Sequence, residues 1–190
     1  MSDRGLDEIN DSADFFLHNR ETPRAGTAAA PVLEGSRVLV VEFQALVNRT
    51  HFGLPQRVAS GVNPKKLSLL LAVLERYGSV ALGEHDVFFN VTGGLTIAEP
   101  AVDLAVCAAI QSSFLDQPLK SGMAVVGELG LGGEIRPVNS MTVRLKELAA
   151  IGFSGCVVPK PTRRAEWAHG VRGIEIYPCE SVGDVHGHIF

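Results

Sequence analysis

Residues 93–110 read GGLTIAEPAVDLAVCAAI. A glycine pair and then Pro100 precede a long apolar stretch, the pattern of a loop that opens a helix at the mouth of a site. Two carboxylates, Glu99 and Asp103, stand in or beside that first turn. Such a pair could supply a general acid and a general base. The helix dipole gives a plainer account, since it favours each negative charge there by about 0.3–1 kcal/mol. The residue after Pro100 is Ala101. A methyl group cannot attack a carbonyl, so the stretch carries no nucleophile.

Other residues capable of chemistry are dispersed. His18, His51, His85 and His169 stand apart, and His186 and His188 form an H-x-H pair with no cysteine or carboxylate cluster beside it. The pair reads as solvent-exposed rather than as a metal site. Gly127, Gly130, Gly132 and Gly133 fall between two expected strands, which suits a hairpin turn better than a phosphate cradle. No GxxxxGK[ST] occurs, so no nucleotide hydrolysis is expected of this chain. Arg49 and Arg57 lie in a loop, and Lys65 and Lys66 in the first turn of the helix after it. Two lysines there oppose the helix dipole, a placement that suits either a solvated helix start or a contact with phosphate. Lys160, Arg163 and Arg164 form a second basic group, suited to a surface or subunit contact.

The 190 residues are 46% apolar, 20% charged and only 6% aromatic. That composition fits one soluble domain with additions, its core built from Val, Leu, Ile and Ala. The net charge of −4 lacks the basic excess of a dedicated nucleic-acid binder. A role with nucleic acid must rest on a local patch or on many copies in a ring. Cys107, Cys156 and Cys179 contain no CxxC, which argues for reduced thiols in a cytosol and against a zinc module. No stretch approaches the roughly 20 apolar residues of a membrane span. The acidic, polar N-terminus does not read as a signal peptide.

The elements that must position these residues follow from pattern. Residues 1–36 read as a lead-in and linker, with a short apolar patch of Phe15, Phe16 and Leu17 that could dock on a neighbour. Residues 37–190 read as the domain. SRVLVVEFQALV is a long strand, and residues 48–64 are a loop or distorted hairpin. NPKKLSLLLAVLERYG is a helix with Asn63 as cap, Pro64 in the first turn, Gly78 as stop, and Leu67, Leu70, Leu71 and Leu74 on one face. HDVFFNV is a strand, and the apolar stretch after Pro100 is a central helix covered on all sides. MAVVGELGLGGEIRPV reads as two strands about a turn at 131–133. A third helix follows, capped by Asn139 or Ser140 and stopped by Gly152. GCVVP and GIEIYPC are strands, and SVGDVHGHI is a closing helix. This alternation predicts an α/β or α+β layered fold.

DVFFNVTGGLTIAEPAVDLAVCAAIQSSFLDQPL, then VVGELGLGGEIRPV and RLKELAAIGF, resemble the C-terminal domain of the RadA/Sms family of bacterial DNA repair proteins. Upstream, VEFQALV, FGLPQRVASG and LSLLLAVLERYG match the same family, and RGLDEINDSADFFL resembles the segment that follows its ATPase core. The resemblance covers nearly the whole chain. The family's zinc-binding CxxC module, P-loop ATPase and Lys-Asn-Arg-Phe-Gly motif are missing, so the chain reads as the tail of such a protein. ATP and zinc are expected only with those other parts.

That C-terminal domain is similar to the proteolytic domain of Lon, a Ser–Lys peptidase. The resemblance implies a Lon-like, ribosomal protein S5 domain 2-like layered fold with a mixed sheet packed against helices. Lon enzymes carry Asp-Gly-Pro-Ser-Ala-Gly before a helix. In that register the nucleophilic serine falls on Ala101 and the general-base lysine on Arg144. Arginine stays protonated and cannot replace a lysine of lowered pKa, so the dyad reads as vestigial. Ser112, Ser113 and Ser140 remain available hydroxyls for a peptidase with an unorthodox dyad.

The resemblance further implies a hexameric ring, single-stranded DNA or recombination intermediates as partners, a recombinase or helicase alongside, and a bacterial cytoplasm. In the family an ATPase drives branch migration. The expectation for this chain is a non-enzymatic scaffold and DNA-contact domain, with Arg49, Arg57, Lys65 and Lys66 as DNA contacts. A pure oligomerisation platform that never touches DNA is the third reading.

Overall fold

The computed structural model describes residues 23–51, 53–161 and 165–190. It begins with a hairpin. Strand β1 (Thr27–Glu34) pairs antiparallel with β2 (Arg37–Arg49), from Thr27 opposite Gln44 to Glu34 opposite Arg37. Gly35, at φ +60°, opens the two-residue turn between them, a position that demands a left-handed conformation. Ala28, Ala30 and Val32 alternate into the core. The linker reading is therefore corrected for residues 27–34, which belong to the folded domain. Alanine and proline carry little strand propensity of their own. The pairing with β2 and burial of one face make this segment a strand. Phe15, Phe16 and Leu17 lie outside the described residues.

Strand β3 (Arg57–Ser60) lies within the expected loop and runs parallel to β4 (His85–Val91). β4 also pairs antiparallel with β2, which gives a mixed sheet of order β1-β2-β4-β3. Between β3 and β4 runs helix α1 (Pro64–Tyr77). It starts as its sequence predicts: Asn63 Oδ1 accepts from the Lys65 N–H at 2.9 Å, satisfying one of the free donors of the first turn. Leu67, Leu70, Leu71 and Leu74 are buried in the core, and the Gly78 N–H closes the last turn on Leu74 O at 2.7 Å.

After β4, a 3-10 stretch (Thr92–Gly94) and then a 3-10 turn (Pro100–Val102) lead into helix α2 (Asp103–Leu115). Every residue of α2 from Asp103 to Ser112 is buried, as expected of a helix that is apolar all round. The remaining elements are β5 (Met123–Val125), β6 (Glu128–Leu129), β7 (Ile135–Arg136), α3 (Met141–Ile151), β8 (Gly155–Pro159), a 3-10 turn (Glu166–His169), β9 (Glu175–Cys179) and α4 (Val182–Ile189). β6 and β7 form the hairpin expected at the glycine-rich turn. β5, expected to belong to that hairpin, instead joins a parallel sheet of order β5-β8-β9. Ser140 occupies the N-cap of α3 at φ +60°, and its hydroxyl does not cap the helix.

The core has two parts. One fills the space between the four-stranded sheet, α1 and α2, around Phe43, Leu74, Phe89 and Ile110. The other joins α3 to β5 and β8 and holds Ala101, Leu145, Leu148, Phe153 and Cys156. The architecture is mixed α/β, a mixed sheet packed against helices. Among the described residues no helix is long and apolar enough to cross a membrane.

Candidate functional site

The segment from β4 to α2 is laid in place by its backbone. Gly93 and Gly94, at φ +74° and +68°, turn the chain out of β4. The Ile97 N–H then donates to Gly61 O at 2.8 Å, holding residues 95–99 beside the end of β3. Gly61 itself sits at φ +82°, and a Cβ there would stand 2.5 Å from Leu95 O. Only glycine fits this approach. Further on, the Gly127 N–H donates to Ala101 O at 2.8 Å. Ala101 is buried, and its methyl is part of the apolar cluster around α3.

Arg144 projects from α3 to the same place with 0% exposure. Its Nε donates to Asn139 O at 3.0 Å and its Nη1 to Pro31 O at 2.6 Å. Nη1 also donates to Glu99 Oε2 at 3.2 Å, and Nη2 donates to Glu99 Oε1. Glu99 Oε2 accepts as well from the Leu33 N–H at 2.9 Å. The guanidinium thus makes a two-pronged pair with Glu99, two residues before Ala101, and spends its other donors on backbone carbonyls. This forked geometry suits arginine and not lysine. Ala101 offers only a methyl group, and every nitrogen of the Arg144 guanidinium is already hydrogen-bonded.

A second ion pair flanks the segment. Lys66 Nζ lies 2.6 Å from Asp103 Oδ2, which also accepts from the Leu129 N–H at 3.1 Å. Asp103 is buried, and burial pushes its carboxyl above the ordinary range against the pull of Lys66 and the Leu129 N–H. Between α1 and residues 97–103 opens a cleft of about 250 Å³, with Val62, Ile97 and Val102 among its apolar walls and Lys66, Glu99 and Asp103 at its polar edge. All three charged groups are already paired, so the cleft offers no free acid or base.

The four basic residues expected to touch DNA do not form one patch. Arg49 is opposite His85 and Arg57 is opposite Val87, at one end of the sheet. Lys65 and Lys66 follow Ser60, at the other end of β3. Arg57 is spent internally: Nη2 donates to Leu82 O at 2.7 Å and Nη1 to His85 O. Lys66 is spent on Asp103, although its side chain keeps 38% exposure. Arg49 is exposed and pairs loosely with the equally exposed Glu84 at 3.4 Å. Lys65 is exposed, and among the described residues it makes no ion pair. In the second basic group Lys160 pairs with Glu180, while Arg163 and Arg164 lie outside the described residues.

Two of the three spare serines are engaged too. Ser112 Oγ accepts from the Gly26 N–H at 2.9 Å and donates to Gln117 O at 2.5 Å. Ser113 Oγ accepts from the Val47 N–H at 2.9 Å. Both hydroxyls tie α2 to other backbone segments, and their hydrogen-bond partners are backbone groups.

Compared with known proteins, residues 73–162 match the family described as subunit ChlI of Mg-chelatase, a stretch that includes Ala101, Asp103 and Arg144. The DNA repair protein RadA of Escherichia coli is 42% identical over 187 residues, which cover 97% of this chain and 39% of that protein. RadA of Bacillus subtilis is 40% identical over 97% of the chain and 40% of its own length. RadA of Synechocystis is 43% identical over 96% of the chain and 35% of its own length. The chain belongs to the RadA/Sms family. It spans about two fifths of the length of these relatives.

Within this RadA-family chain, sequence reasoning named Ala101 and Arg144 but missed what Arg144 holds. It also took Asp103 as favoured by one helix dipole and Lys66 as opposed by another, without pairing them. A signal for their pairing was present: an aspartate inside a run of apolar residues needs a partner once the helix is buried. Among the described residues no group of three or more His, Cys, Asp or Glu could hold a metal ion. His186 stacks on Phe190 and His188 on Tyr177, at ring separations of 5.0 and 5.3 Å.

Proposed function

We propose that this chain is a non-proteolytic, Lon-like scaffold and DNA-contact domain of a RadA/Sms-type ATP-dependent DNA repair and recombination protein. In this reading it assembles as a hexameric ring, beneath an ATPase that drives branch migration and resides in the rest of the protein. ATP and zinc belong to those other parts. One observation carries the non-proteolytic half: Arg144 is buried with every guanidinium nitrogen hydrogen-bonded, and position 101 is alanine, whereas peptidase chemistry needs a serine and a base free to take its proton. The layering of a mixed sheet on helices supports the Lon-like assignment, and the likeness to DNA repair proteins supports the setting.

The DNA-contact half narrows to Arg49 and Lys65, whose charges face solvent. A ring would multiply their modest individual contribution through effective concentration. Fluorescence anisotropy of labelled single-stranded DNA, titrated at two salt concentrations, tests it. Binding that weakens steeply with salt supports phosphate contact. Absence of binding at high micromolar protein sinks it.

The internal commitments of Lys66 and Arg57 favour a second reading, a pure oligomerisation platform that never touches DNA. That reading expects the assembled mass to persist while anisotropy stays flat.

A further inference from the structure

The four-stranded sheet buries one face and leaves part of the other open. On the open face Leu46 of β2 stands opposite Phe88 of β4, and Phe88 opposite Val58 of β3. The three form one apolar row across three strands, with Leu46 54% and Val58 47% exposed. Polar residues border the row: Gln44, Asn90 and Ser60 on one side, Asn48 and Asp86 on the other. Such a row on a sheet face calls for a cover.

A depression of about 350 Å³ on this face is walled by Leu46, Val58 and Phe88 and by residues 24–27. The described chain therefore enters the domain at the rim of the uncovered row. Seven residues further back lies the longest apolar run before Arg24: Phe15, Phe16 and Leu17. Residues 18–23, HNRETP, are polar or proline. A seven-residue stretch reaches at most roughly 25 Å, whereas the row spans two inter-strand spacings, about 10 Å.

We propose that Phe15, Phe16 and Leu17 of the same chain dock on the Leu46–Phe88–Val58 row, latching the N-terminal segment across the open sheet face. The tether delivers these residues to the rim of the depression at an effective concentration that a second copy matches only when dense. The aromatic rings supply apolar area of the kind that Phe88 and Leu46 lack above them. In a longer protein the latch would fix this domain against whatever precedes residue 15.

The test uses the full chain with His18→Cys and Ser60→Cys, which spare every docking residue. The three native cysteines are buried and stay silent. A short bismaleimide is the probe. The expected result is a cross-link within one chain, at a rate independent of protein concentration, that falls about tenfold or more when Phe15→Asp and Phe16→Asp are added, because only the tether then remains. A rate that the aspartates do not change overturns the latch. So do products between chains that grow with concentration, which would assign the row to a second copy, and so does the absence of any cross-link.

Discussion

Arg144 and Glu99, 45 positions apart in sequence, form a two-pronged ion pair that fastens α3 to the segment leading into α2. The same guanidinium reaches Pro31 O on β1, and the same carboxylate accepts from the Leu33 N–H on that strand. Three parts of the chain converge on one pair of side chains. The pair therefore acts as a structural clasp that joins β1, α3 and the segment before α2.

Removing one partner leaves a charge and two carbonyls without compensation. Arg144→Ala should lower unfolding free energy by about 3–5 kcal/mol, the cost of breaking a buried pair from one side. Arg144→Lys keeps the charge but cannot reach both oxygens and two carbonyls at once, so it should lose less, though still measurably. Urea unfolding midpoints of the two variants check this. Wild-type stability in the alanine variant would show that the clasp holds nothing.

Placing a hydroxyl at position 101 should not create peptidase chemistry. Ala101→Ser supplies a hydroxyl, but Arg144 stays protonated and engaged, so no base accepts the proton. The expected outcome is no hydrolysis of an unfolded casein-like substrate over a day at high protein concentration. The serine should also cost roughly 1–3 kcal/mol, since it puts a hydroxyl into an apolar cluster. Cleavage by this variant that disappears in Arg144→Ala would return Arg144 to a catalytic role.

Asp103 gives a pH dependence with a definite sign. Burial raises its carboxyl above the ordinary 3.8, so the folded chain holds that proton to higher pH than the unfolded chain does. Folding takes up a proton between the two values, and this group's contribution to stability falls as pH rises through that window. Asp184 runs the other way. Hydrogen bonds from the Ser181 side chain and backbone hold its carboxyl below 3.8, so its contribution is present above 3.8 and lost as pH falls through the lowered value. Urea midpoints of wild type and Asp103→Asn, measured from acid to neutral pH, should show the advantage of the wild type shrinking as pH rises above 3.8. A difference that grows with pH over that range would mean Lys66 outweighs burial.

What the sequence could disclose depended on whether a residue's partner was near in the chain. Helix α1 was legible because Asn63, Pro64, Gly78 and the leucine period all act within one helix. The mixed α/β class followed from the alternation of such local units. β1 escaped because alanine and proline become a strand only through pairing with β2. β3 escaped because four residues at a sheet edge alternate too briefly to register. At the site, the lack of a nucleophile at Ala101 was legible at one position. The clasp was not, since Glu99, Pro31, Asn139 and Arg144 meet only when β1, α3 and the loop before α2 are assembled.

The same distinction separates the four basic residues and gives the last prediction. Arg49 and Lys65 carry charges that no buried group needs. Arg49→Glu and Lys65→Glu should therefore leave the thermal midpoint nearly unchanged, because exposed charges contribute little to stability. If either touches single-stranded DNA, its reversal should weaken binding and make the log–log salt slope shallower by about 0.7 per lost phosphate contact. Lys66→Glu is different in kind. It sets a second carboxylate against buried Asp103 and removes the cation that offsets that burial. It should lower the thermal midpoint by several degrees whatever the DNA does. Reduced DNA binding by Lys66→Glu alone would thus report a damaged fold. A weaker, shallower salt dependence in Arg49→Glu or Lys65→Glu at an unchanged midpoint would report an interface. Flat results for both exposed residues, with the assembled mass intact, would leave the oligomeric platform as the reading that survives.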